Sequence, residues 1–167
     1  GDLDHRDQSR MTDVLSGALA GAPQVFGVAF LYTDMKILNV TRQGGGPVAS
    51  MDNLSSDPLA VRATQEYSDR SGVFWGELLP APDEFNSTFI NLRMPVRRDG
   101  EYLGLLVAVV SVSRLSRFVQ TLAMENGSEA FILFGTQHVL AHPSLTEGFM
   151  RDLRRGAPRA DQLLPRI

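Results

Sequence analysis

Residues 89–93 carry the side chains best suited to recognise a small ligand. If this segment is a β-strand, Phe89, Asn91 and Arg93 point to one face, because side chains alternate along a strand. An aromatic ring, an amide and a guanidinium suit a small polar or anionic molecule, since arginine can bind a carboxylate through two parallel hydrogen bonds. The alternative is structural: a core phenylalanine, an asparagine bonded to backbone and a solvated arginine.

The predicted ligand-binding set extends beyond this segment. It is completed by aromatic and aliphatic side chains from other predicted elements: Tyr67, Trp75, Val107 and Val109. Tyr32 is a further candidate for the wall of such a site. We therefore expect a pocket between one face of a sheet and the elements that cover it.

Catalytic and metal-binding patterns are absent from the sequence. Without cysteine, there are no disulfides, thiolate nucleophiles or thiolate metal sites. No Gly-x-Ser-x-Gly or His-Glu-x-x-His motif occurs, and the carboxylates are scattered. On a strand, His138 and His142 would lie about 13 Å apart, which is too far to share one ion. We expect no catalytic residue, no metal and no cofactor.

Charge, motif and hydropathy give no sign of nucleic-acid binding, of a phosphate-binding loop or of a membrane-spanning helix. The net charge of −3 gives no electrostatic reason to expect nucleic acid. Residues 44–47 are glycine-rich, but no Lys-Ser or Lys-Thr follows, so they predict a flexible loop and not a phosphate cradle. No apolar run approaches the roughly 20 residues of a membrane helix. The first residue is Gly and not Met, so we expect a piece of a longer protein.

A central hairpin must position the candidate residues. Asp99 and Gly100 lie between two apolar runs, and this pair favours a type I′ turn, in which both residues have positive φ. Residues 103–110 are almost wholly apolar. Such a strand is covered on both faces, so we place it in the middle of the sheet.

Helices and further strands are predicted around this hairpin. Residues 7–20 have helical apolar spacing, Asp57 and Pro58 are a suitable N-cap and first residue, and Ser111 or Ser113 can cap a third helix. Strands are predicted at residues 25–32, 37–41, 73–75, 130–134 and 139–141, and a last helix at 145–153. Consecutive hairpins with helices at the sides indicate an α+β fold with an antiparallel sheet.

Four stretches resemble the Cache family of extracytoplasmic sensor domains, which have a PAS-like fold. They are the opening helix and hairpin ending at residues 37–40, the run SGVFWGE at 71–77, residues 94–115 with their Pro-Val, Asp-Gly and Leu-Gly pairs, and residues 130–143 ending in His-Pro. The resemblance implies a PAS-like central antiparallel sheet flanked by helices, with a long N-terminal helix.

The resemblance also implies a domain organisation and a function. Residues 1–125 would form a membrane-distal sensor lobe, and residues 126–167 the start of an incomplete membrane-proximal lobe. The chain would be the periplasmic domain of an inner-membrane receptor that binds a small molecule and has no chemistry of its own. Its N-terminal helix would pass a ligand-induced shift to a cytoplasmic output module, for which an adenylate cyclase is one candidate. The membrane would be contacted only by the parent's flanking helices, and a homodimer along the first helix is compatible with this role.

One departure from the family bears on the ligand. Members that bind amino acids carry an aspartate at the position of Val109. Since a buried valine cannot offset the cost of desolvating an ammonium group, an α-amino acid ligand is disfavoured. The alternative functions are a cytoplasmic PAS- or GAF-like module for dimerisation or cofactor binding, and a small α+β enzyme.

Overall fold

The computed structural model describes Asp4, residues 6–80, residues 88–145 and Arg166. In chain order the elements are α1 (Gln8–Ala20), β1 (Val25–Tyr32), β2 (Lys36–Gln43), β3 (Gly46–Asn53), α2 (Pro58–Tyr67), β4 (Phe74–Pro80), β5 (Thr88–Arg98), β6 (Glu101–Ser111), α3 (Val112–Asn126), β7 (Ile132–Phe134), β8 (His138–Ala141) and a 3₁₀ turn at Pro143–Leu145. The predicted α+β fold with its N-terminal helix is confirmed.

The six strands β1 to β6 form one sheet in the order β3-β2-β1-β6-β5-β4. β6 lies between β1 and β5, in the interior position predicted from its apolar sequence. Asp99 and Gly100 join β5 to β6 with φ values of 51° and 87°. Both values are positive, as a type I′ turn requires, so the predicted central hairpin is confirmed.

The sequence did not predict β3, and the flexible loop expected at residues 44–47 is wrong beyond its first two residues. β3 pairs antiparallel with β2, beginning at the pair Gln43 and Gly46. Every residue of β3 is exposed. Strand prediction relies on alternation between buried and exposed side chains, and this edge strand has none.

The chain divides into two compact units, each described on its own. The first comprises Gly1–Ala22, Phe26–Trp75 and Leu92–Val109, and the second comprises Pro23–Val25, Gly76–Asn91 and Val110–Ile167. The lobe boundary expected near residue 125 stays a prediction.

In the first unit, α1 is fixed at both ends. The Asp7 side chain accepts a hydrogen bond from the backbone N–H of Arg10, so Asp7 is the N-cap. At the other end, the Arg42 guanidinium on β2 donates hydrogen bonds to the carbonyl oxygens of Leu19 and Ala22. These carbonyls lie in the last turn and just beyond it, where helical partners run out. Arg42 therefore ties the end of α1 to the sheet.

The helix α2 begins as the sequence predicts. The Asp57 side chain accepts from the backbone N–H groups of Leu59 and Ala60, and Pro58 is the first helical residue. Its buried residues form a core with two sheet residues: Ala60, Ala63, Tyr67, Leu31 and Leu105. This packing fixes the last turn of α2 over the sheet.

Gly104 marks a close approach between β6 and β1. Its φ is +152°, and an added Cβ would lie 2.4 Å from the carbonyl oxygen of Leu31 and 2.8 Å from the ring of Phe30. Real Cβ atoms do not come this close to a backbone oxygen, so only glycine fits here. The spacing of the two central strands depends on that missing side chain.

The second unit contains α3 and the two-stranded sheet of β7 and β8. Ser111 caps α3 at its start, and Gly127 ends it in the left-handed conformation. The backbone N–H of His142 donates to the buried Ser116 hydroxyl at 3.3 Å, which links α3 to the end of β8. The third predicted hairpin is confirmed, whereas the helix predicted for residues 145–153 lies outside the described residues after Leu145.

Candidate functional site

An aromatic cluster lies at the end of α2 in the first unit. Tyr67 is the last residue of α2 and is buried, with 6% of its surface exposed. Its ring centroid is 5.4 Å from that of Phe74, the first residue of β4, and the ring planes are inclined by 50°. The two rings form an apolar surface beside which charged groups can stack. We call Tyr67, Phe74, Arg70 and Arg93 the Tyr67 cluster.

Arg70 stacks on both rings of the Tyr67 cluster. Its guanidinium carbon is 5.3 Å from the Tyr67 centroid and 5.4 Å from the Phe74 centroid. One of its nitrogens is 3.0 Å from a carboxylate oxygen of Glu66, one turn earlier. The charge of Arg70 is therefore already partly balanced within the chain.

Arg93 approaches the same tyrosine from β5. Its guanidinium carbon is 5.6 Å from the Tyr67 centroid, and the residue is half-buried. Among the residues that the structure describes, no carboxylate forms an ion pair with Arg93. A guanidinium has five N–H donors in a fixed planar arrangement. Arg93 thus has donors and a positive charge to offer to a ligand.

The sheet supplies an apolar base beneath the Tyr67 cluster. Leu31 and Leu105 are buried under Tyr67, and Val107 of β6 packs against this core while remaining partly accessible. Three of the residues predicted from the sequence are therefore brought together here: Tyr67, Arg93 and Val107. Val109 lies further along β6 and is half-buried.

Trp75 is placed differently from Tyr67. It follows Phe74 in β4, and since neighbouring residues of a strand point to opposite faces, only one of the two can join the cluster. Phe74 does so, whereas Trp75 is 54% exposed. The sequence did not single out Phe74, because alternation at residues 74 and 75 separates the two side chains without indicating which one turns inward.

Phe89 and Asn91 lie in the second unit, and both are buried. The side-chain oxygen of Asn91 has no hydrogen-bond partner among the described residues. A buried acceptor without a donor is costly, so a ligand with an N–H or O–H group would satisfy it. The roles of Phe89 and Asn91 in ligand binding stay predictions.

Metal-binding geometry is not present in the described part of the chain, where no three His, Cys, Asp or Glu side chains converge. His138 lies in β8, and His142 follows it. The Nδ1 atom of His142 accepts from the backbone N–H of Ser144 at 3.1 Å and lies 2.7 Å from its hydroxyl. This histidine is engaged in a local turn.

Two tyrosines have perturbed acidity. Burial raises the pKa of Tyr102, and the Arg97 guanidinium, 5.8 Å from its ring centroid, offsets part of that rise. Burial also raises the pKa of Tyr32, and the negative charge of Asp34 adds to the rise. Tyr32 does not join the Tyr67 cluster, because it points to the opposite face of β1 from Leu31.

Solved structures of sensory domains share this fold, although no protein-family model and no curated protein matches the chain. The extracellular domain assigned to the histidine kinase mmHK1S-Z2 is 11% identical, with a TM-score of 0.58 over 87% of this chain and 61% of that one. The ligand-binding domain of the Campylobacter jejuni chemoreceptor Tlp3, in complex with 4-methylisoleucine, is 12% identical, with a TM-score of 0.55 over 90% of this chain and 57% of that one.

A domain of a sensory box/GGDEF family protein from Vibrio parahaemolyticus is also similar. It is 16% identical, with a TM-score of 0.53 over 66% of this chain and 45% of that one. The chain thus spans about half the length of the structures it matches. Its fold is that of these sensory domains, which agrees with the Cache-like fold predicted from the sequence. No described helix is both long and apolar enough to cross a bilayer.

Proposed function

We propose that this chain is the ligand-binding sensory domain of a transmembrane signalling receptor and that it lies outside the cytoplasm. Its ligand is a small organic anion whose carboxylate binds Arg93. The observation that carries this proposal is the half-buried Arg93 guanidinium, which stacks on Tyr67 without a carboxylate partner among the described residues. The domain binds and reports, and it catalyses no reaction of its own.

The Tyr67 cluster contains the parts that such recognition needs. The planar guanidinium of Arg93 can hold both oxygens of a carboxylate, and its contact with the Tyr67 ring limits its orientation. Phe74 and Val107 offer apolar surface to the body of the ligand. Arg70 adds positive potential nearby. The ligand-binding roles predicted for Val109 and Trp75, and those predicted for Phe89 and Asn91 in the second unit, stay predictions.

The ligand is proposed to lack an α-ammonium group. The Campylobacter domain was solved with 4-methylisoleucine, an amino acid with an apolar side chain. Val109 is half-buried, and its side chain has no atom that could accept a hydrogen bond from an ammonium group. A branched carboxylate therefore suits this chain better than the corresponding amino acid, because the amino acid would bring a charge that must be desolvated.

Signal transfer follows from a population shift. A ligand that binds one arrangement of the domain more tightly than another shifts the equilibrium by its difference in affinity. We propose that α1 carries this shift toward the membrane in a parent protein with flanking membrane helices and a cytoplasmic output module. Residues 126–167 would begin a second lobe of that parent, and a paired output would call for a homodimer.

A thermal-shift titration tests the Tyr67 cluster. Short branched carboxylates are compared with their neutral amides and with the matching α-amino acids. A binder at 100 times its Kd stabilises the fold by about 2.7 kcal/mol. We expect stabilisation by the carboxylates alone, and we expect Arg93→Gln to weaken it tenfold or more, because the replaced groups formed charge-assisted hydrogen bonds.

Arg97→Gln is the matched control. Arg97 lies on the same strand, stacks on Tyr102 at 5.8 Å and donates to the Gly100 carbonyl, so its loss removes the same kind of contact elsewhere. If Arg93→Gln and Arg97→Gln respond alike, the assignment of Arg93 is wrong. Apolar stretches of about 20 residues flanking this chain in the full-length protein would support the receptor; their absence would favour a cytoplasmic module.

A further inference from the structure

The first unit contains a cleft apart from the Tyr67 cluster. It opens beside the start of α1 and the turn between β1 and β2, and it has a volume of about 600 Å³. Tyr32 lines this cleft, and its neighbour Leu31 packs beneath Tyr67. Since adjacent residues of β1 point to opposite faces of the sheet, the cleft and the Tyr67 cluster lie on opposite sides of it.

The charged groups in the cleft leave hydrogen-bond donors available. Asp34 accepts from the backbone N–H of Lys36 at 3.2 Å through one oxygen, and its other oxygen is 3.0 Å from the Lys36 ammonium. These contacts lower the pKa of Asp34, so the carboxylate stays ionised and both oxygens are engaged. The lysine has three N–H donors and uses one of them here. Arg6, which also lines the cleft, adds a second cation.

The rest of the lining combines a phenol with apolar surface. The Tyr32 hydroxyl is protonated at neutral pH, as a tyrosine ordinarily is, and can donate; burial and the charge of Asp34 raise its pKa further. Leu103 is buried at 9% exposure, and Met51 of β3 contributes a flexible thioether. The cleft therefore presents positive charge and donors beside an apolar floor.

We propose that this cleft is a second ligand site, which binds an organic anion: a carboxylate or phosphate carried on an apolar body. The anion contacts Lys36 and Arg6, and the body covers Leu103 and Met51. A volume of about 600 Å³ lies within the range of small-molecule sites. The same chemistry is found in free amphiphilic acids and in anionic lipid headgroups, which the experiment separates.

Lys36 provides the probe, because it is the only lysine in the sequence. Biosynthetic incorporation of [ε-¹³C]lysine labels Lys36 alone and leaves its three N–H donors in place, so one carbon signal reports on the cleft. We titrate the 167-residue chain with sodium octanoate, with 1-octanol, and with inorganic phosphate. The expected result is a saturable shift of the Lys36 signal with octanoate, and binding at least tenfold weaker for the neutral alcohol and for the anion without an apolar body.

Variants identify the contacts. Octanoate affinity, measured by calorimetry, is expected to fall threefold to tenfold in Lys36→Gln and in Arg6→Gln, since each loses a charge-assisted hydrogen bond at a partly exposed site. Arg62→Gln removes one positive charge from the exposed face of α2 and should leave the affinity unchanged. These titrations are made in the Arg93→Gln background, which removes the carboxylate site proposed at the Tyr67 cluster, so the heat reports on this cleft alone. The melting temperature of each unliganded variant shows that the fold is kept.

Flotation with vesicles distinguishes the source of the anion. Binding of octanoate without retention on phosphatidylglycerol vesicles supports a free acid. Retention on phosphatidylglycerol but not on phosphatidylcholine, lost in both cleft variants, supports a headgroup. The proposal is overturned if neither octanoate nor the anionic vesicles bind, if octanol binds as tightly as octanoate, or if Lys36→Gln and Arg6→Gln behave like Arg62→Gln.

Discussion

Replacing Gly104 with alanine is expected to destabilise the first unit severely. The new Cβ would lie 2.4 Å from the carbonyl oxygen of Leu31 and 2.8 Å from the Phe30 ring. The phenylalanine could move slightly, but the backbone oxygen could retreat only if β1 and β6 separated. Overpacking of this kind costs about 1–3 kcal/mol. The φ of +152° adds backbone strain of about 1–3 kcal/mol for a residue with a Cβ.

The sum is therefore about 2–6 kcal/mol, a large share of the 5–15 kcal/mol by which domains are typically stable. Urea unfolding measures it, with the fluorescence of Trp75, the single tryptophan, as a probe in the first unit. Gly17→Ala is the matched control: Gly17 lies within α1, and apart from the helix's own nearby backbone no atom lies within 4 Å of the added Cβ. That change should stabilise by about 0.5–1 kcal/mol.

Both substitutions replace glycine with alanine, but Gly104→Ala should lower the free energy of unfolding and Gly17→Ala should raise it. If Gly104→Ala left the free energy of unfolding within about 0.5 kcal/mol of the parent chain, the close approach of β6 to β1 would not be as described. Destabilisation of similar size by Gly17→Ala would instead point to a general intolerance of alanine, and the steric reasoning would fail.

Two further predictions concern Tyr102 and Arg42. Tyr102→Phe removes a buried hydroxyl without a hydrogen-bond partner in the described residues, so the free energy of unfolding should fall by less than about 0.5 kcal/mol or rise. Because the pKa of Tyr102 is raised, the folded chain keeps this proton to higher pH than the unfolded chain does, so the free energy of unfolding should decline as pH rises above about 10. Urea unfolding measured over this pH range should show a shallower decline in Tyr102→Phe. An equal decline in the variant would contradict the burial of this phenol. Arg42→Ala should cost about 1–3 kcal/mol and speed hydrogen exchange in the last turn of α1, since the carbonyls of Leu19 and Ala22 lose a charged donor; unchanged exchange there would refute the capping role.

Local signals in the sequence predicted much of the fold. Asp57 followed by Pro58, Ser111 before an apolar stripe, and Asp99 with Gly100 each work within a few residues, so their effect is visible without the rest of the chain. β3 has no such signal. Its eight residues are all exposed, and it is a strand because β2 offers a hydrogen-bonding edge. That edge exists only after the sheet has formed.

The candidate site was predicted only in part, for a related reason. Alternation along β5 drew attention to Arg93, and Tyr67 was named as an aromatic neighbour. Their contact depends on the packing of α2 against the sheet, which joins residues far apart in sequence. Phe74 was missed because the sequence does not fix which face of β4 turns inward. The cleft around Lys36 depends on β1, β2, β3 and β6 together, and no single segment carries its pattern.

The contact of Arg42 with the end of α1 limits how that helix can move. An axial slide would break both hydrogen bonds to the carbonyls of Leu19 and Ala22 unless β2 travelled with the helix. A tilt of the helix about the Arg42 guanidinium would keep both hydrogen bonds. α1 has 13 residues and is therefore about 20 Å long, so a tilt of about 10° moves its opposite end by about 3 Å. The largest displacement would fall at Gln8, which lines the same cleft as Lys36, so the tilt would widen or narrow the entrance of that cleft.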